Sequence, residues 1–244
     1  MDIKSSPPYN FKEGTLLLID KPLDWTSFDV VNKVRYKLKH KLQVKKIKVG
    51  HSGTLDPRAT GLLMICTGRF TKKLNQLQGL SKTYTGTIML GATTPSYDSE
   101  MEVDERFPTD HITPEILEAA RQKFIGEIDQ LPPIFSAIKV DGKPLYKRAR
   151  KGEKVKVEPR KITINDFEIT RIQLPEIDFK VSCSKGTYIR SLAYDFGKAC
   201  GSGGYLTSLR RTKIGEYSIK NAWTLDDLLQ HVEDNHYDEI LEKQ

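Results

Sequence analysis

The spacing of apolar residues changes several times along the chain, and each change marks an element. Thr15–Asp20 (TLLLID) is an unbroken apolar run ending at Lys21-Pro22, which predicts a buried strand closed by a turn. Thr26 or Ser27 can cap a helix running to about Lys39, with Phe28, Val31, Val34 and Leu38 on one stripe. A basic loop and a glycine-rich segment, GHSGTLDPRATG, come next, followed by strand-like Leu62–Cys66. Thr71–Leu80 predicts a helix with Leu74 and Leu77 inward. Lys82–Gly91 alternates, placing Tyr84, Gly86, Ile88 and Leu90 on one face. Thr113-Pro114 opens a helix to about Ile125, with proline in its first turn. Phe135–Val140 reads as a strand, followed by an Asp141-Gly142 turn and a short basic helix. Ile162–Arg171 and Ile177–Ser184 predict a strand pair, Thr187–Ala199 a helix and Lys213–Ile219 a strand. Thr224 can cap a last helix through about Val232. Strands outnumber long helices and show no regular βαβ alternation. The predicted class is α+β, a mixed, mostly antiparallel sheet flanked by helices and loops.

The 244 residues, 38% of them hydrophobic, suffice for a core. The longest apolar runs fall far short of the roughly 20 residues a membrane span needs, and MDIKSSPPYNFKEG has no signal-peptide core. Cys66, Cys183 and Cys200 are scattered and lack CxxC spacing, and His231 and His236 stand on different helical faces. These features predict a cytoplasmic, metal-free protein. The net charge of +7 is uneven. Between Val31 and Gly50 stand eight basic residues and no acid; between Ala137 and Lys161, ten basic residues stand against Asp141, Glu153 and Glu158. The last 24 residues reverse the balance, with seven acids against Lys243. Two basic segments suit a polyanion surface or, equally, a solvated lysine-rich face.

The densest chemistry lies between Gly50 and Gly61, where three glycines and Pro57 bracket one carboxylate, Asp56. Glycines permit unusual backbone angles and close approach of a ligand. The Gly-Lys-Ser/Thr of a phosphate-binding loop is absent, and no second acid forms a hydrolytic pair. An Asp before Pro also forms turns, so the residues alone leave a structural and a catalytic Asp56 both open.

Gly50–Leu63 (GHSGTLDPRATGLL) resembles the signature of the bacterial tRNA pseudouridine synthase B family. The resemblance runs from LLLIDKP at Leu16–Pro22 through GRFTK, KTY, PPIFSA, GKPLY and SCSKGTYIR to Leu209-Arg210-Arg211. It implies a pseudouridine synthase fold and a role for each matching position. Asp56 is the implied nucleophile, Tyr84 the platform that stacks on the target base, and Arg190 the partner that holds the carboxylate ionised and aimed. Tyr188 and Leu209 line the implied uridine pocket, and His51 enters the space the flipped base leaves. Lys72 and Lys21, in the Lys21-Pro22 turn, support the catalytic loop at the substrate site. Outside the motif, Tyr84, Leu209 and Tyr188 are residue types that fill cores, Arg190 suits a surface ion pair and His51 a loop.

The implied substrate is uridine 55 in the T-loop of tRNA, bound through the T-stem-loop by a monomer with no obligate protein partner. The reaction breaks an N-glycosidic bond, turns the uracil and rejoins it through C5. It needs no redox step and no energy input, hence no cofactor. The base must leave its stack at a few kcal/mol, which an aromatic platform and a gap-filling side chain offset. The chain departs from the family pattern at Met64 (usually proline), Arg58 (usually aliphatic), Arg69-Phe70 (usually Glu-Ala) and around Asp98. The expected organisation is a flexible segment over 1–12, the catalytic domain over 13–232 and an acidic tail over 233–244, without a C-terminal RNA-binding domain. Rival readings are a guide-dependent or other-target synthase, a non-catalytic RNA-binding protein of the same fold, and a nucleoside or glycoside hydrolase that releases free uracil.

Overall fold

The computed structural model describes residues 9–235 and 237, except 137, 141, 150, 154 and 156. In chain order the elements are β1 (Leu16–Lys21), α1 (Ser27–Lys41), β2 (Val49–His51), β3 (Ala59–Thr67), a 3-10 turn (Gly68–Lys73), α2 (Leu74–Gln78), β4 (Lys82–Leu90), β5 (Ala92–Thr93) and β6 (Glu105–Arg106). There follow α3 (Pro114–Gln122), β7 (Gly126–Gln130), β8 (Lys139–Val140), β9 (Lys143–Pro144), α4 (Leu145–Ala149), β10 (Arg160–Gln173), β11 (Glu176–Cys183) and α5 (Ile189–Ala199). The chain closes with β12 (Gly204–Ile214), β13 (Tyr217–Ser218), a 3-10 turn (Ile219–Asn221), β14 (Trp223–Thr224) and α6 (Leu225–Asp234). The expected α+β class is what forms. Two compact units divide the chain: residues 1–82 with 210–244, and residues 83–209.

In the first unit the strand order is β14-β1-β3-β12, with β2 added on β3 and β13 on β12. β1 and β3 run antiparallel, with Ile19 opposite Leu63 and Lys21 opposite Gly61. Their runs do not alternate because both faces are covered. Leu17, Ile19, Leu63 and Ile65 meet Val30, Val31, Val34 and Leu38 of α1 and Leu225, Leu228 and Val232 of α6. Leu16, Leu18, Leu62, Met64 and Cys66 meet Leu77 and Ile214 on the other side. Tyr9 and Phe11 belong to the core, although 1–12 reads as a flexible segment in the sequence; residues 1–8 lie outside the described residues. At the far end Glu233, assigned to the acidic tail, bonds Lys37 of α1, and Tyr237 packs on the core.

Helix α1 has a full capping box between Thr26 and Asp29. Its stripe differs from expectation: Ser27, Val30, Val31, Val34 and Leu38 are buried, while Phe28 is 62% exposed. The helix is turned so that the Ser27 hydroxyl faces inward, where it bonds Leu55, and Phe28 lies about 100° round from it.

In the second unit the order is β12-β4-β11-β10-β7. β10 and β11 form the expected antiparallel pair, with Phe167 opposite Val181. Phe124, Phe167, Phe179 and Phe196 pack ring to ring between strands and helices. In β4, Tyr84, Ile88 and Leu90 share the buried face as the alternation predicts.

Three elements depart from the sequence reading. Thr71–Leu80 is a 3-10 turn followed by the single α turn of α2 rather than one helix. The expected strand over Phe135–Val140 shrinks to β8, and Asp141 of the expected turn lies outside the described residues. β12 begins at Gly204, nine residues before the strand expected at Lys213. Its inward positions include Arg211, 1% exposed, so a buried guanidinium stands where a hydrophobic pattern requires an apolar side chain.

Candidate active site

Asp56, His51, Lys21 and Lys72 belong to the first unit; Tyr84, Tyr188, Arg190 and Leu209 belong to the second. In the first unit the loop between β2 and β3 carries Asp56 and is gripped by the turn between β1 and α1. The residue before Asp56 is held twice by one side chain: Ser27 Oγ donates to Leu55 O at 3.0 Å and accepts from Leu55 N at 2.8 Å. The residue after it is held by the same turn, where Asp24 N donates to Pro57 O at 2.9 Å. Lys21 Nζ donates to Trp25 O at 2.6 Å, Pro22 O at 2.8 Å and Pro57 O at 3.4 Å. Arg58 closes the clasp with a 2.9 Å bond to the Asp24 carboxylate. Ala59 N donates back to Asp56 O at 3.1 Å, so Asp56 opens a turn that leads into β3. Its backbone is thus fixed on both sides by groups that approach from one neighbouring segment.

Lys21 is fully buried, and its bond to Pro57 O ties the loop that carries Asp56 to the turn after β1. Burial pulls its ammonium down to about 8, against the opposing charges of Asp56 and Asp24. His51 ends β2, paired with Ile65. Burial lowers its pKa below the usual histidine value, with the Gly53 backbone opposing and the Arg211 charge assisting, so the ring is neutral at pH 7. A neutral flat ring can occupy the place of a base without desolvating a charge. Arg211 also braces this loop, donating to Leu62 O at 2.8 Å and Gly53 O at 3.1 Å. Gly61 faces the Arg211 backbone so closely that a Cβ would stand 2.3 Å from its carbonyl oxygen. Lys72 is an exposed residue of the 3-10 turn that follows β3.

In the second unit, Arg190 is the second residue of α5 and is buried. Its guanidinium donates to Ser96 O at 3.0 Å and Phe135 O at 2.9 Å, and Nε lies 3.8 Å from Asp98 Oδ2. Asp98 is itself held: Ser96 Oγ donates to it at 2.7 Å and Glu100 N at 3.0 Å. Tyr188 is the N-cap residue of α5, and the Gln130 side chain bonds both its N–H, at 2.8 Å, and its carbonyl, at 3.0 Å. Ser191 Oγ donates to Leu131 O at 2.8 Å, so residues 130–135 wrap the start of α5. Tyr84 is buried on β4, and Leu209 lies half-buried on β12. The structure therefore gathers Arg190 with Asp98, Ser96 and Phe135, and Tyr188 with Gln130.

Sequence reasoning missed Ser27, Asp24, Gln130 and Arg211 as supports. Ser27 reads only as a cap candidate, and Arg211 only as part of a quoted block. Asp24 carries one signal in hindsight: it adopts φ +63 next to Lys21-Pro22, a conformation Asp tolerates better than most residues.

The TruB family pseudouridylate synthase (N terminal domain) sequence model matches residues 39–189. A tRNA pseudouridylate synthase B C-terminal domain matches residues 190–244. The chain is 64% identical over 216 residues to a tRNA pseudouridine synthase B of Flavobacterium johnsoniae, covering 88% of this chain and 94% of that one. It is 51% identical over 232 residues to the protein of the same name from Phocaeicola vulgatus, covering 95% and 99%. Among solved structures it is similar to a chain of a Cbf5-Nop10-Gar1 complex, at 26% identity and a TM-score of 0.68. That match covers 94% of this chain and only 60% of the solved one.

Proposed function

Because the chain belongs to the TruB family of pseudouridylate synthases, we propose that it isomerises uridine 55 in the T-loop of tRNA to pseudouridine, with Asp56 as nucleophile. The observation that carries this reading is the clasp on Asp56, with its neighbours Leu55 and Pro57 tied to the turn that holds Ser27, Asp24 and Lys21. A nucleophile must be held in a near-attack position, and a backbone fixed on both sides supplies this before substrate arrives.

The resemblance assigns three further tasks. His51, neutral and flat at the end of β2, takes the place of the extruded base. Tyr84 stacks on the flipped uracil, with Tyr188 and Leu209 lining its pocket. Arg190 serves as the counter-charge; its donors to Ser96 and Phe135 fix the plane of the guanidinium before any substrate binds. The N1–C1′ bond breaks, the uracil turns and its C5 bonds to C1′; C5 then loses its proton and N1 gains one, so the product is an isomer of the substrate. Atoms and electrons balance within the substrate, so the reaction requires no cofactor. The protein acts as a cytoplasmic monomer without a guide RNA.

The test is incubation of the protein with an unmodified tRNA transcript and no other factor, followed by mapping of the product base. Pseudouridine at the T-loop uridine is the expected result. Free uracil would make the protein a hydrolase. Conversion only with a guide RNA and partner proteins would make it a component of a larger particle.

A further inference from the structure

A hollow of about 390 Å³ lies in the first unit, outside the clasp on Asp56, lined by Lys12, Lys46, Lys48, Arg69 and Lys72 around Val44 and Ile47. Its cations come from three separate stretches of chain that backbone bonds draw together. Gly68 N donates to Lys48 O at 2.9 Å, Arg69 N to Glu13 O at 2.8 Å and Thr67 N to Thr15 O at 2.9 Å. The approach is tight: a Cβ on Gly68, at φ +50, would stand 2.3 Å from Lys12 O. Of these cations Arg69 is paired, with Glu13 at 3.0 Å.

Cations crowded on a fixed frame repel one another, and an anion between them relieves that repulsion. The place of the hollow suggests which anion. Lys48 immediately precedes β2 and Gly68 immediately follows β3, where Val49 pairs with Thr67. His51, paired with Ile65, is two rungs further along the same hairpin, roughly 7 Å at about 3.4 Å per residue. A strand whose base is replaced by His51 therefore runs its backbone within a few nucleotides of the hollow.

We propose that this hollow is a phosphate-binding site for the RNA backbone beside the flipped nucleotide. The proposal rests on the functional reading above, and it adds which part of the RNA the basic loop takes and with which partners. The lysine side chains point their charge at phosphate oxygens while their backbones hold the frame. Replacing a side chain therefore removes a contact without releasing the frame.

The experiment compares the full-length wild type with K12A/K46A/K48A and with a control of equal charge loss, K123A/K180A/K198A, whose lysines lie in the other unit. The ligand is a T-arm stem-loop already carrying pseudouridine, so no turnover accompanies binding. The hollow variant should bind at least tenfold more weakly in low salt. Its slope of log K against log salt should be shallower by about 2, as three contacts at about 0.7 each require. The control should stay within twofold of wild type. A hollow variant within twofold and with an unchanged slope would overturn the site, as would a control that weakens as much. Pseudouridine formation by the wild type on the unmodified stem-loop is measured alongside. Its failure would remove the functional reading and not the hollow.

Discussion

Arg190 Nε lies 3.8 Å from Asp98 Oδ2, and both side chains are only 7% exposed. Removing one partner of a buried pair leaves the other charge stranded, at a cost of about 3–5 kcal/mol. Asp98→Ala should lower unfolding stability by about that much in urea denaturation. Asp98→Asn, nearly the same size, should keep the fold and RNA binding but lower kcat by about tenfold or more. Wild-type kcat in Asp98→Asn would mean that the Asp98 charge does not aim the guanidinium.

Lys21 gives the enzyme a pH limit. Burial brings its ammonium to about 8 from 10.5, with Asp56 and Asp24 pulling the other way. The unfolded chain keeps this proton up to about 10.5, so unfolding between those values takes one up. This group's contribution to stability therefore rises with pH across that window. Activity should run opposite, because a neutral amine has two N–H groups for the three carbonyls of Pro22, Trp25 and Pro57. We expect kcat to fall with an apparent pKa near 8, and Lys21→Met to be slower at pH 7 and to lack that step. An identical step in Lys21→Met would assign it to another group.

Ser27 holds both backbone groups of Leu55 with one hydroxyl. Ser27→Ala leaves a buried donor and a buried acceptor unsatisfied, at about 1–3 kcal/mol each. Melting temperature should drop, and kcat should drop further than RNA affinity. Equal losses in kcat and affinity would point to general loosening rather than to the aim of Asp56.

Gly61 sits at φ +104 with the Arg211 carbonyl 2.3 Å from any added Cβ. Gly61→Ala should cost about 3 kcal/mol or more, since backbone strain and a clash with backbone act together. Chemical denaturation reads the change directly; a stability loss under about 1 kcal/mol would contradict the close packing of β3 on β12 at this point.

The elements most legible in the sequence are those whose side chains obey one rule at a time. Leu16–Ile19 and Leu62–Cys66 announce themselves because both faces are buried, and β4 because one face is. Thr224 caps α6 as its position suggests. Illegible were the places where a polar residue does core work. Arg211 inside β12 hides the strand's start, and Ser27 turned inward rotates α1 away from the stripe that Phe28 suggests. β7, Gly-Glu-Ile-Asp-Gln, escapes notice because only Ile128 in it is apolar. Asp56 and Arg190 were readable as motif positions. Their supports were not, because Ser27 to Leu55 and Gln130 to Tyr188 join residues 28 and 58 positions apart.

The most direct test of the account is Asp56→Asn, which keeps the shape of the side chain and removes its power to attack. Wild type and variant are incubated with the same unmodified tRNA transcript, with pseudouridine and free uracil measured over time and RNA affinity measured separately. The account predicts pseudouridine from the wild type, none above background from the variant, and affinity within about threefold between the two. Conversion by the variant at a rate near that of the wild type would contradict it.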